Sequence, residues 1–183
     1  MTTALLPIDL HNDYFHHAEL ERGRDDVLDT CNRLIRAARD AGSPAVEVQT
    51  VRTSDKATWA PNMLDDHGIA IEGTRGPAAW TGCPNPTCAR QDPRQRLPHD
   101  TELAGWLRER EVDRPVLAGV STESCIAATA TDAYARSLRV VLVEDSTASV
   151  EWRRHDQTLE RVEKQYRQKV VSADDVSLDS AGT

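Results

Sequence analysis

Cys125 and Asp9 are the residues whose types and settings could do chemistry together. Cys125 follows the apolar run VLAGV through Ser121-Thr122-Glu123-Ser124 and enters an alanine-rich stretch of helical character. A strand that leads into a helix puts such a cysteine in the first turn. There the helix dipole and free N–H groups lower a thiol pKa and can hold an oxyanion. Nucleophile and oxyanion hole would then come from one turn of backbone. The other reading of an unpaired cysteine is a small buried apolar residue, and the local pattern leaves both open. Asp9 ends the apolar run at residues 4–9, and an acid beside a thiol can take its proton. Alone, it reads equally as an aspartate capping a turn.

The elements that must position these two residues follow from hydrophobic periodicity. Residues 4–9 read as a buried strand that opens into the polar string at residues 10–17. From residue 25 to 41, Val27, Leu28, Cys31, Leu34, Ile35 and Ala38 recur at the spacing of one helical face, with acids in the first turn and Gly42 just past the end. Residues 45–51 alternate and are rich in valine, a second strand. Strand, helix, strand over this distance implies a right-handed parallel βαβ unit. A second series follows: a helix from near Thr101 carrying Leu103, Trp106 and Leu107, a strand over 115–120, a helix over 123–137, a strand over 139–143, a helix over 152–166 and a short strand over 169–172. Both Asp9 and Cys125 then fall at carboxyl ends of strands, the edge where open α/β sheets place ligands. One domain over 1–174 is expected, with a polar tail over 175–183 that frays.

The remaining candidates carry less. Cys31 lies on the apolar helical face and reads as core, and His16 and His17 follow Asp9 in a loop, near a substrate or in solvent. Cys83 and Cys88 have no second ligand pair at zinc spacing. Trp59 and Trp80 could wall a pocket or simply pack. Residues 83–98, CPNPTCARQDPRQRLP, hold four prolines and three arginines with almost no aliphatic side chains. A long surface loop is expected there, since proline removes a ladder donor.

Composition narrows the partners. The formal charge of −8, pI of about 5.2 and three lysines disfavour nucleic acid, which is bound through clustered lysine and arginine. No run of about 18 apolar residues suggests a membrane span. Expected, then, are a cytoplasmic protein with reduced cysteines and a small-molecule partner.

At this point the residues reach a family. LLPIDLHNDYF resembles the opening I-D-x-x-N-D-F/Y motif of the isochorismatase-like cysteine hydrolases. LAGVSTESCIAATATDAYARSLRVVLVEDSTAS resembles their G-V-x-T-x-x-C nucleophile segment and the strand after it, and TWAPNMLDDHGIAIEGT adds a weaker match. The resemblance runs over residues 4–171. It implies a three-layer α/β/α domain with a six-stranded, mostly parallel sheet, and an Asp, Lys, Cys triad with Asp9 as base and Cys125 as nucleophile. It also implies an oxyanion hole from the backbone N–H groups of Ser121, Thr122 or Cys125, a cis peptide between Val120 and Ser121, and assembly into homo-oligomers. The metal-binding Asp-x-His-x-His motif of the nicotinamidase branch is absent, so neither catalytic metal nor cofactor is expected.

The departure from the family is its lysine. Counting back without gaps from Thr101 puts Asp92 where the K-x-R-x-S-A-F segment has lysine, and no lysine stands between Lys56 and Lys164. An acid there works against both thiolate and oxyanion. Arg90 or Arg94 is no conservative replacement, because a guanidinium on a differently placed stem is not an ammonium. Codons exist for residues 91–98 that, read one base on, give Lys-Thr-Arg-Asp-Ser-Ala-Phe, the family's own segment. We therefore expect the region before His99 to be read out of frame, through mutation or misreading. Sequencing codons 75–101 in gene and transcript should recover that motif in the shifted frame, and a gene that encodes it in no frame ends the idea.

Overall fold

A computed structural model describes residues 1–50, 52, 54–56, 59, 64–65, 71, 87–91 and 102–179. Its strands are β1 (Thr2–Ile8), β2 (Val46–Thr50), β3 (Thr87–Gln91), β4 (Val112–Val120), β5 (Val141–Ala148) and β6 (Lys169–Val171). Its helices are α1 (Ala18–Arg22), α2 (Arg24–Asp40), α3 (Glu102–Glu109), α4 (Ala127–Ala135) and α5 (Trp152–Lys164). The six strands form one parallel sheet in the order β3-β2-β1-β4-β5-β6. The order reverses between β1 and β4, and such a switch point opens a crevice at the carboxyl ends of the strands.

Alternation along the strands divides the core into two layers. Leu5 of β1, Val116, Ala118 and Val120 of β4, and Val141 and Val143 of β5 face α2, which contributes Val27, Cys31, Leu34, Ile35 and Ala38. Leu6 and Ile8, Val46 and Val48, Leu117 and Leu142 face the other way, against Leu103 and Leu107 of α3, Ala130 and Ala133 of α4 and Val162 of α5. This is the three-layer α/β/α arrangement that the sequence implied. Each central strand is covered on both faces, which is why it reads as a continuous apolar run.

Two expectations are corrected. The segment over 83–98, expected to be a long surface loop, contributes β3, which pairs with β2 from Val46–Thr87 to Thr50–Gln91. The physical reason is that TCARQ lies within the proline-free interval between Pro86 and Pro93, and an edge position asks a strand to pair on one side alone. The tail expected to fray after Asp174 is docked as far as Asp179. Leu178 is buried in the α2 layer, its carbonyl accepts a hydrogen bond from the Ser43 hydroxyl, and Arg114 Nη2 donates to the carbonyls of Ser177 and Asp179 at 3.2 Å.

β1 and β4 approach closely at Gly119. Gly119 pairs with Ile8 and has φ +120°, and a β-carbon there would meet the Ile8 carbonyl oxygen and, at 2.8 Å, its amide nitrogen. A side chain therefore fails on both backbone conformation and space. Gly119→Ala should cost about 3 kcal/mol or more of stability, read as a lowered midpoint in chemical denaturation with unchanged slope.

Candidate active site

The carboxyl edge of the sheet collects the residues that matter. Asp9 follows β1 directly, with φ 54°, a left-handed conformation that aspartate tolerates better than most residues. Its amide donates to the Val48 carbonyl at 2.8 Å, and its side chain is fully buried. Oδ1 accepts the Thr50 amide at 2.6 Å and Oδ2 accepts the Thr50 hydroxyl at 3.0 Å. Hydrogen bonds to a charged group contribute about 1.5–3 kcal/mol each, whereas an unpaired buried charge costs several kcal/mol. Thr50 therefore holds Asp9 in place by engaging both carboxylate oxygens from the end of the neighbouring strand.

Cys125 does not sit in the first turn of an α-helix, as expected. It lies in a π-helical turn, Thr122–Ile126, with α4 beginning at Ala127. The Ser121 carbonyl accepts from the amides of Ser124 and Ile126, and Thr129 Oγ1 donates to the Cys125 carbonyl at 2.8 Å, which ties the wide turn to α4. Single π turns recur at functional sites because the extra residue re-aims a side chain. The Val120–Ser121 peptide is cis, as the resemblance implied. Ser121 and Thr122, the expected oxyanion-hole residues, open the turn, and Thr122 is fully buried.

The electrostatics differ from the expectation of a lowered thiol pKa. Burial first, then the charge and hydrogen bond of Asp9, push the Cys125 thiol well above its ordinary value, while hydrogen bonding from Ser124 and Tyr14 pulls the other way. Burial beside a carboxylate outweighs the short turn's dipole, so the Cys125 thiol is pushed up rather than down, with the Asp9 carboxylate next to it. Around the pair stand groups that sequence reasoning did not single out. His11 is buried with Nε2 3.6 Å from Asp9 Oδ1, and its ring meets Tyr14 edge-on at 4.7 Å. Glu47 is buried, with Oε1 accepting from Gln49 Nε2 at 3.0 Å, and burial raises its carboxyl pKa. Thr50 could have been found, since it ends the second strand as Asp9 ends the first. Tyr14 stands at the F/Y position of the opening motif, a signal that could have found it, whereas His11 falls on one of the motif's unspecified positions.

The other candidates separate cleanly. Cys31 is core, its thiol pushed up to about 12 by burial and the Asp145 charge, with Sγ 3.6 Å from the Ser146 carbonyl. His16 and His17 are exposed, and His16 lies 3.6 Å from Asp13. Trp59 is buried beneath the Lys56 ammonium, 5.3 Å from its ring centroid. Cys88 and Arg90 lie in β3, whereas Trp80, Cys83, Asp92 and Arg94 lie outside the described residues. Among the described residues, no group of three or more histidine, cysteine or acidic side chains could hold a metal ion, and no helix is long and apolar enough to cross a membrane.

His155 supports the turn from α5. Its Nδ1 lies 2.9 Å from Thr122 Oγ1 and Trp152 stacks on its outer face at 4.7 Å. Burial lowers its pKa below 6.5, against the opposing charges of Asp156, Glu123 and Glu144. The unfolded chain therefore binds the proton more readily than the folded one. The stability contributed by neutral His155 is complete above about pH 6.5 and is lost as pH falls below it. Melting temperature should drop as pH falls below about 6.5, and His155→Gln should flatten that dependence relative to wild type.

With this geometry in place, comparison with known proteins gives a consistent picture. A model of the isochorismatase domain matches residues 3–175. The uncharacterized isochorismatase family protein YddQ of Bacillus subtilis is 28% identical over 151 residues, covering 81% of this chain and 79% of that protein. The fold is shared with N-carbamoylsarcosine amidase from Thermoplasma acidophilum, with TM-score 0.79 and 22% identity over 97% of this chain and 99% of that one. It is shared too with nicotinamidase PncA from Bacillus subtilis, with TM-score 0.77 and 24% identity over 94% of this chain and 100% of that one. With the domain match spanning nearly the whole chain, the protein belongs to the isochorismatase family.

Proposed function

We propose that the protein is a cysteine hydrolase that cleaves a C–N bond in a small amide-like molecule, with Cys125 as nucleophile and Asp9 as base. The observation that carries this reading is the buried Asp9 carboxylate bearing directly on the Cys125 thiol at the carboxyl edge of the sheet. Asp9 takes the thiol proton as Sγ adds to the carbonyl carbon, and the oxyanion that forms turns to the backbone N–H groups of Ser121, Thr122 or Cys125. Asp9 then returns the proton to the departing amine, leaving a thioester on Cys125. Water attacks the thioester, Asp9 takes its proton, and the acid leaves as the thiol is restored. The small-molecule substrate agrees with the family and with the two amidases that share the fold. Self-association belongs to the same proposal, and Trp152, 71% exposed, is a side chain it could cover.

A second reading, a family member that binds a ligand without turnover, is favoured by two features. The thiol is held protonated by burial and Asp9, and the position matching the family's lysine carries Asp92. Register supports that matching, because β3 ends at Gln91 opposite Thr50, the residue that holds Asp9.

The two readings separate on one experiment. Incubation with nicotinamide, N-carbamoylsarcosine and a panel of simple primary amides should release ammonia and leave an acyl group on the Cys125 peptide after acid quench. Cys125→Ala should abolish both, and Asp9→Asn should slow turnover by about 10²–10⁴. Asp92→Lys should raise turnover under the hydrolase reading and leave it at zero under the binding reading.

A further inference from the structure

A thiol buried beside a carboxylate needs a donor or cation before it can ionise, and the family's lysine is missing from its place. Among the described residues Arg52 is the one buried lysine or arginine side chain. It follows Thr50 by two residues and forms a parallel bridge with Ile71. Its guanidinium bears on the Tyr14 hydroxyl through hydrogen bonding and charge. Tyr14 approaches from the turn Asn12–His16, fixed by its amide on the His11 carbonyl at 3.2 Å and by the edge-on contact with His11. Its hydroxyl is enclosed and makes no hydrogen bond of full geometry among the described residues, although Asp9, Cys125 and Arg52 all bear on it.

We propose that the Tyr14 hydroxyl is the donor that steadies the Cys125 thiolate, and that Arg52 is a positioning residue that orients and polarises Tyr14 from behind. Asp9 removes the thiol proton. The Tyr14 O–H then turns its hydrogen to Sγ without transferring it, and the Arg52 guanidinium donates to the phenol oxygen. The charges around Tyr14 agree with this arrangement: burial, Asp9 and Cys125 raise its pKa and so keep the phenol proton in place, while Arg52 acts in the opposite sense. The Tyr14 hydroxyl, placed to donate to Sγ, acts to favour the ionised form of Cys125. A positive field thus reaches the sulfur through one hydroxyl. The purpose of the device rests on the hydrolase reading, but its test does not need turnover.

The test is alkylation of Cys125 by iodoacetamide in the full-length protein, followed on the Cys125 peptide by mass spectrometry across pH. Tyr14→Phe, which keeps the ring against His11, should move the profile upward by about one unit, so that alkylation at a fixed pH of about 8 slows about tenfold. Arg52→Gln should shift the profile the same way, Arg52→Lys should restore most of the wild-type rate, and Arg52→Gln should add nothing once Tyr14 is Phe. An unchanged profile in Tyr14→Phe overturns the proposal, as does an Arg52→Gln effect of equal size with and without the tyrosine hydroxyl. If Arg52→Gln fails to fold, Tyr14→Phe alone decides. The expected shifts without any acyl group formed on Cys125 would uphold the Tyr14 assignment and remove the hydrolase reading, so the two failures remain distinct.

Discussion

The site depends on one buried carboxylate. Asp9 has no solvent to satisfy it, and its two oxygens are met by the amide and hydroxyl of Thr50. That arrangement requires β1 and β2 to end in register, which the pairing of Ile8 with Val48 and the Asp9 amide on the Val48 carbonyl provide. The β1–β2 ladder is otherwise sparse. Leu5 and Asp9 direct their amides to the β2 side, and Pro7, which falls between them, has no N–H to offer. On the other flank β4 lies against β1 so closely that Gly119 admits no side chain. Asp9 is thus held by a loose neighbour that supplies its hydrogen bonds and by a tight neighbour that brings Cys125.

Burial gives this site its character and its difficulty. Desolvation favours the neutral form of any acid, and here it acts on Cys125, Tyr14 and Glu47 alike. A dry pocket strengthens every hydrogen bond within it and makes each unpartnered charge more costly. The π turn that carries Cys125 delivers the sulfur to Asp9 and Tyr14 together, and His155 holds the adjacent Thr122 from α5. Reactivity at such a sulfur comes from what surrounds it more than from the helix end on which it sits.

The proline-rich segment shows how a poor sequence pattern can still serve a sheet. Thr87–Gln91 takes the edge beyond β2, where strand pairing is needed on one side alone. The central strands could not have accepted such a segment, because they need apolar residues on both faces.

The sequence by itself determined the parallel α/β class, the helix expected over residues 25–41, the placing of Asp9 and Cys125 at strand ends and the core role of Cys31, because each follows from local periodicity or from short motifs. Residues 83–98 resisted such reading, since the six residues between Pro86 and Pro93 carry no period and the strand Thr87–Gln91 forms only by pairing with β2. Tertiary structure alone decided the docking of Leu178, the partnership of Thr50 with Asp9, the burial of Arg52 beside Tyr14 and the contact of His155 with Thr122. It also reversed the direction expected for the Cys125 thiol. A helix terminus is visible in sequence, but desolvation and a carboxylate brought from more than a hundred residues away are properties of the packed chain.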